Sequence, residues 1–597
     1  MAPKPLKDNL RKRSAADLRD ERDRLGGWVR QPEVRWLDPG ILARAGVEVA
    51  VSITFGRFAD KREIQTQGQP AFDYSTEKEL WIDYLSDTGD GWASTQTMAW
   101  LLAQPSLPFD ETQLPRGKVL LLGGDQVYPT ATPDAYEDRF KGPFAAALPQ
   151  SDPGQEPDMF ATPGNHDWYD GLVSFLRLFC TSAWIGGWRT RQCRSYFALK
   201  LPNRWWIWAI DIQLDTYIDD VQLKHFSDLP IGPGDKVILL TAKPSWVSSV
   251  EGRVEPPSWR FLSFFEERMV RDTGARLVLT ITGDRHHYAR YEPDGEGADE
   301  APTRITAGGG GAYLSPTHTL PPEIKLKPLP RHAGGEATKE RPTVVNRREE
   351  IYPLAVDSRR LSNGILKLAA LNPAFGRLFG AIYVLLAIAL LGALNTGEGS
   401  LVANATGDGF LGFLASSAGG MSLVLAVALF GWCYGATDVR PGALQHEGSS
   451  RLKTGAARVG LALAQTVVHL LAASLVIWVA IDVAPRILDA AIAVWVLGLL
   501  AAFLVGRMFG TTVFAFFLWL VHKVRGSKSQ ANANLVFTGQ SIIDYKNLLR
   551  MCLGRDGGLT IYPLGVDEAC RSWDLVDEQP APRFEPRTHA PQVHPID

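Results

Sequence analysis

The chain has 597 residues, long enough for several domains with cores of their own, which excludes a small module stapled by disulfides or a metal. Its 62 Lys and Arg against 65 Asp and Glu leave a formal net charge of −3, without the global basic excess of a polyanion binder. Cys180, Cys193, Cys433, Cys552 and Cys570 form no CxxC pair or zinc-finger spacing, so neither a disulfide scaffold nor a zinc finger is expected.

Residues 1–79 read as an N-terminal arm with basic runs and a lead-in segment. The first 25 residues carry mixed charge and no apolar run, unlike a secretory signal or an anchor. The apolar stretch from Ile41 to Phe58 is interrupted by Arg44, Glu48 and Arg57, too many charges for a membrane span, and predicts a partly buried helix.

Between 80 and 320, short apolar runs rich in β-branched and aromatic residues end in polar clusters: LWIDYLSDTGD, KVLLLGGDQ, MFATPGNHD, RWWIWAID, KVILLTAKP and RLVLTITGDRHH. Such runs predict strands whose C-terminal ends carry the chemistry. Intervening stretches such as ASTQTMAWLLAQ and RFLSFFEERMVRD predict helices, hence a layered α/β domain.

Residues 321–377 read as a proline-rich, charged linker. The mean hydropathy of −0.06 hides an apolar domain over 378–521, with uncharged runs at Leu378–Thr396, Gly409–Thr437, Val459–Ile481 and Ala490–Gly506. Each is near the length that crosses a bilayer core of ~30 Å. Segment 395–409 has no Lys or Arg, whereas 438–458 carries Arg440, Arg451, Lys453 and Arg458, which places the latter loop and the head in the cytoplasm. Four spans are expected, with Met508–Val521 as an extension or interfacial helix; a fifth crossing there is the alternative. Within the third run, Gln465 and His469 suit helix–helix hydrogen bonding. Residues 522–597 read as a cytoplasmic tail with a hairpin turning at RDGG, which needs a host surface, and a disordered proline-rich end.

The turns after the strands present Asp87, Asp125, Asn165-His166-Asp167, and Asp284 with His286, an O/N-rich set suited to divalent metals. GD, GNHD and GDxH after successive strands resemble the calcineurin-like metallophosphoesterase superfamily, whose pattern runs DxH, GD, GNH(D/E), a separate His and GHxH. The stretches FADKREIQ, DTGDGWAST, GNHDWYDGL and GGGGAYLSPTH resemble a branch found in bacteria and plants with membrane helices after the head.

The resemblance implies a four-layer αββα sandwich followed by an α-helical transmembrane domain. It implies two divalent metals (Mn, Fe or Zn) held by Asp87, Asp125, Asn165, Asp284 and His286, with Asp125 bridging. His166 would be the general acid, its ring oriented by Asp167. Two ligand positions differ: Gly89 stands for the His of DxH and Ala242 for the separate His. Asp90 is a candidate to reach into the first vacancy, and Asp211 a candidate ligand or outer support. Arg285, His287 and His318 are candidate substrate contacts, and Lys243 a candidate charge near phosphate or a solvated strand-end lysine. Gly308–Gly311 lacks a P-loop ending and is expected to be a close-packed turn.

These expectations describe a membrane-anchored metallophosphoesterase hydrolysing a phosphate ester or pyrophosphate of a small molecule, lipid or protein through a dinuclear centre and bridging hydroxide. The alternative is a catalytically degenerate binding or regulatory membrane protein, motivated by Gly89 and Ala242. No nucleic-acid partner is expected.

Overall fold

The computed structural model describes residues 6–55, 68–212, 214, 217–248, 257–329, 332–333, 336–337, 342–395, 420–436, 451–487, 491–525, 532–576 and 581–596. The chain divides into two units: Met1–Val34 with Arg44–Ala355 and Ser541–Asp597, and Arg35–Ala43 with Val356–Gln540.

The first unit is mixed α/β with two large sheets. The eight-stranded sheet runs His594–Pro595, Leu559–Val566, Lys546–Leu553, Leu80–Leu85, Val119–Leu122, Asp158–Ala161, Trp188–Thr190, Trp184–Ile185. The nine-stranded sheet runs Phe72–Asp73, Phe197–Lys200, Trp205–Ala209, Lys236–Leu240, Arg276–Thr282, Thr303–Ala307, Tyr288–Asp294, Val344–Tyr352, Glu323–Leu326.

The period of two along each strand decides which core a residue joins. Ile82, Tyr84, Val119, Leu121 and Phe160 share one cluster with Ile207, Ile238, Leu279 and Ile281 of the other sheet. Their neighbours Leu85, Leu120, Leu122 and Met159 pack instead with Met98, Leu101, Phe144 and Phe175. In the nine-stranded sheet, Trp206, Trp208, Val237 and Leu239 pack with Phe226, Leu262 and Phe265.

Two sequence expectations change here. Residues expected to form a linker instead supply the strands Glu323–Leu326 and Val344–Tyr352, because Val344–Tyr352 finds Tyr288–Asp294 as an antiparallel partner that composition cannot reveal. The proline-rich end is not structureless: Arg583–Pro586 pairs with Trp573–Val576, and His594–Pro595 with Leu564–Gly565. The helix Pro39–Phe55 forms and is partly buried, as expected: Ser52 is buried and its Oγ donates to the Tyr169 carbonyl at 2.8 Å, while Val47 and Val51 stay 64% and 51% exposed.

The hairpin strands Lys546–Leu553 and Leu559–Val566 join the eight-stranded sheet through Leu80–Leu85, antiparallel, with Arg550 opposite Asp83. The cysteines are free.

In the second unit, three described helical windows are long and apolar enough to cross a membrane: Pro373–Leu391, Gly455–Val483 and Trp495–Val524. Val424–Ala436 is a shorter apolar helix; residues 396–419 and 437–450, which hold much of the second predicted span and its flanking loops, lie outside the described residues. The run 508–521 is not a separate element, because Ala491–Val505, a π-helical turn Gly506–Gly510 and Thr511–Arg525 form one continuous helix. Arg507 thus does not end the helix. Tyr383 Oη and His469 Nδ1 meet at 3.0 Å, a hydrogen bond between helices.

Candidate metal centre

Parallel pairing brings the C-terminal ends of Leu80–Leu85, Val119–Leu122 and Asp158–Ala161 to one edge. In the other sheet Lys236–Leu240 and Arg276–Thr282 are likewise parallel. Asp87, Asp125 and Asp284, each just beyond a strand, all have left-handed backbone, with φ of 61°, 51° and 62°. Asp tolerates this region better than most residues, yet each such turn still costs about 1–3 kcal/mol, a cost that clusters at functional sites.

The three turns interlock. The Asp284 N–H donates to both oxygens of Asp87 at 3.1 and 3.0 Å. The His166 N–H donates to Asp125 Oδ1 at 2.8 Å. A Cβ at Gly164 would sit 2.1 Å from Asp125 Oδ1, so the glycine of GNHD is what lets the two loops meet.

The residue missed from sequence is Tyr128. Its hydroxyl lies 2.9 Å from Asp87 Oδ1, 3.3 Å from Asp125 Oδ2 and 3.1 Å from His286 Nε2. His286 Nε2 is 3.6 Å from Asp87 Oδ1. Gly89 explains why no histidine stands in the first vacancy: a Cβ there would lie 2.2 Å from the Gln126 carbonyl. Tyr128, three residues after Asp125 on the turn that crowds Gly89, presents its oxygen instead. An aromatic hydroxyl at that spacing was the available signal.

Counting His, Cys, Asp and Glu alone, no three among the described residues form a metal-holding group. With the tyrosine the set changes. Ligands at ~2.1 Å from one ion stand about 3 Å apart; the Tyr128 hydroxyl stands 2.9 to 3.3 Å from Asp87, Asp125 and His286, and His286 3.6 Å from Asp87. His286 Nδ1 faces the Tyr313 carbonyl at 2.7 Å, which fixes the tautomer and turns the Nε2 lone pair toward the other donors.

Electrostatics favour a cation here. Burial, and then the charge of Asp125, holds the Asp87 carboxyl well above its ordinary range. Burial and then Asp284 push Asp125 to about 7. Burial and then Lys546 hold His286 well below the usual imidazole range, so it is neutral and fit to ligate.

Asn165, Asp284, Ala242 and Lys243 line one cleft. Asn165 and Asp284 thus share a cleft with the Ala242 methyl. Lys243 is no remote strand-end residue, because its charge acts to lower Asp125.

The His166 ring packs tilted against Tyr128 and edge-on to Tyr169, with centroids 4.4 and 4.9 Å apart. Its orienting partner is not Asp167: Nδ1 faces the Pro129 carbonyl at 2.7 Å. Asp167 instead accepts from the N–H groups of Gly164 and Gln126 and from the Tyr136 hydroxyl, bracing the loop. Asp90 accepts from the N–H groups of Val34 and Tyr313, so it ties segments together rather than replacing the lost ligand. Asp211 accepts from Trp168 Nε1 and Ser195 Oγ, holding the GNHDW turn from outside.

His287 is buried, with its imidazole pushed down to about 3 by burial and then Arg285, a poor position for meeting substrate. Arg285 is half-buried with Nε 3.7 Å from Asp284. His318 is half-buried. Gly308–Gly311 is a close-packed run: Cβ atoms at 308, 309 and 310 would meet other atoms at 2.4, 2.1 and 2.3 Å.

Tyr128→Phe deletes one donor and keeps the packing. We expect Mn2+ affinity to fall ten- to a hundredfold by calorimetry with the circular dichroism spectrum intact. An unchanged affinity would remove Tyr128 from the set.

No family model and no curated protein matches the chain. Among solved structures it is similar to GAP50, the anchor in the inner membrane complex of Plasmodium, at 14% identity over 40% of this chain and 74% of that one, with a TM-score of 0.29. It is also similar to the purple acid phosphatase PPD1 from yellow lupin (Lupinus luteus) seeds, 12% identical over 46% and 48%, TM-score 0.27. PhoD is 12% identical over 47% and 72%, TM-score 0.28. Likenesses at these scores carry no functional argument, which rests on the residues themselves.

Proposed function

We propose that the chain is a membrane-anchored, metal-dependent phosphoesterase built on a layered αββα head. The observation that carries this reading is the spacing of Asp87, Asp125, Tyr128 and His286, four donors in a buried, anionic cluster beside a cleft. These four would hold one divalent ion, and Asp125, Asn165 and Asp284 a second, weaker one. When bound, such ions supply Lewis acidity toward a phosphoryl oxygen and a nucleophile at neutral pH.

The chain's own groups do the rest. Lys243 lends a positive charge to the cleft, suited to the non-bridging oxygens of a phosphate. His166, gripped at Nδ1 by the Pro129 carbonyl, would deliver a proton to the leaving oxygen from Nε2. Burial, the largest influence, lowers its affinity for that proton, and the charges of Asp167 and Asp284 work against burial. Asp167 and Asp211 hold the loop that carries it. The degenerate-binder alternative now rests on Ala242 alone, since Tyr128 accounts for Gly89.

The test is hydrolysis by the full chain in detergent after loading with Mn2+, Fe2+ or Zn2+. Turnover of p-nitrophenyl phosphate is expected, and His166→Ala should cut turnover on the order of 10²-fold or more for an alkyl phosphate but far less for the nitrophenyl ester. Equal losses on both would remove the acid role, and a metal-loaded wild type without turnover would favour the binder.

Topology follows from pairing. Lys546–Leu553 lies beside Leu80–Leu85 in one sheet, so a chain leaving this unit after Ala355 returns to it by Ser541, and the membrane crossings between are even in number. An even number supports four crossings, the fourth drawing on the region around Val424–Ala436. A fifth from 508–521 is incompatible with one continuous helix. Together with the basic 438–458 loop this supports a cytoplasmic head. Terminal tags on both ends should be cleaved from the same face of sealed vesicles; cleavage from opposite faces would overturn the arrangement.

A further inference from the structure

The strand Lys546–Leu553, which ties the tail to Leu80–Leu85 in the eight-stranded sheet, follows the described apolar helices in the chain. Its first residue, Lys546, is fully buried and its ammonium donates to the Ala312 carbonyl. The next N–H, of Asn547, donates to the Gly309 carbonyl at 3.1 Å. Both grips fall on the run 308–313.

The other side of that run faces the donors of the metal centre. The Ala312 N–H donates to the Asp87 carbonyl at 2.8 Å, and the Gly310 N–H to the Ser86 carbonyl at 2.8 Å. The Tyr313 carbonyl takes the Nδ1 proton of His286. The glycines leave no slack: a Cβ at 308 would lie 2.7 Å from Asp87 Oδ2, and one at 309 would lie 2.1 Å from Asn547 Nδ2. The run is therefore a thin sheet of backbone pressed between the returning strand and two ligands.

We propose that Lys546 is a positioning residue of the metal centre: by fixing the 308–313 run from behind, it sets where Asp87 and His286 stand. The inference rests on the metal-centre reading above. A buried lysine is a costly way to fill space that a methionine would fill more cheaply. Burial pushes its pKa down to about 8, while Asp90, Asp544 and Asp87 favour the charged form. What the ammonium adds over a methyl group is a donor for a carbonyl otherwise left unpaired beside the ligands.

The experiment titrates Co2+ into the full chain in detergent, reading affinity and the visible d–d spectrum for wild type, Lys546→Met, Lys546→Gln and Asp125→Asn. A residue that only stabilised the fold would lower the melting temperature and leave the spectrum of the folded protein unchanged. We expect Lys546→Met to weaken Co2+ about tenfold or more and to alter band shape. Lys546→Gln, with its donor drawn back by one bond, should do the same and serves where Lys546→Met does not fold. Wild-type affinity and spectrum in either folded variant overturn the role of Lys546. Failure of the underlying reading looks different: a wild type that binds no Co2+, or an Asp125→Asn variant that binds as wild type does.

Discussion

Asp125→Asn is expected to abolish metal retention and turnover while making the metal-free protein more stable above pH 7. Asn keeps the acceptor for the His166 N–H but cannot carry charge. In the metal-free chain, burial and then Asp284 raise the Asp125 carboxyl from 3.8 to about 7. The folded state thus binds more protons than the unfolded one between these values, and stability falls as pH rises through that window. At ~1.4 kcal/mol per pH unit the penalty above pH 7 has an upper bound of roughly 4 kcal/mol. Below about pH 4 the carboxyl is protonated in both states, and the variant gains nothing.

Metal reverses the order. An ion at a hundred times its dissociation constant stabilises the wild type by about 2.7 kcal/mol and leaves the variant untouched. Turnover should drop on the order of 10³-fold or more, several kcal/mol of charge stabilisation being lost. Melting curves at pH 5 and 8, with Mn2+ and with chelator, check each part. A variant less stable than chelated wild type at pH 8, or one still holding Mn2+, would contradict the charge-cluster account.

The strand ends that carry Asp87, Asp125, Asn165 and Asp284 were readable because a period-two apolar run closing on a polar turn is a local signal. The identity of the fourth donor was not. Gly89 looks like a lost ligand until the Gln126 carbonyl is seen to occupy the space of its side chain, and the contact arises between neighbouring turns. Asp90, Asp167 and Asp211 have the composition of ligands but accept from backbone N–H, Trp and Ser groups, a distinction made by orientation alone. The hairpin at RDGG was local and visible; its host strand lies more than 450 residues earlier, and sequence offers no measure of such pairing. Arg507 suggested a break, whereas the helix runs on through a π turn beside Phe379 and Tyr383, whose atoms crowd Gly506.

The same long-range pairing sets the second large effect. Arg550→Met should destabilise the head by about 3–5 kcal/mol, because it leaves a buried carboxylate without its cation. Arg550 Nε and Nη2 donate to Asp83 at 2.6 and 3.0 Å and Nη1 donates to the Leu114 carbonyl at 2.8 Å, with the two side chains 0% and 3% exposed. The Gly117 N–H remains on Asp83 at 2.9 Å, too little to replace a guanidinium. Asp83→Leu combined with Arg550→Met should recover most of the loss, since an apolar pair of similar bulk pays no desolvation. A double variant as unstable as Arg550→Met would place the effect in packing rather than charge. Asp83 lies on the strand Leu80–Leu85, whose following turn carries Asp87, so this ion pair locks the returning segment to the strand that leads into a proposed ligand. Residues 1–355 expressed alone would lack that lock, expose an unpaired strand edge and lose Lys546, and should yield an aggregating head with no measurable affinity for Co2+.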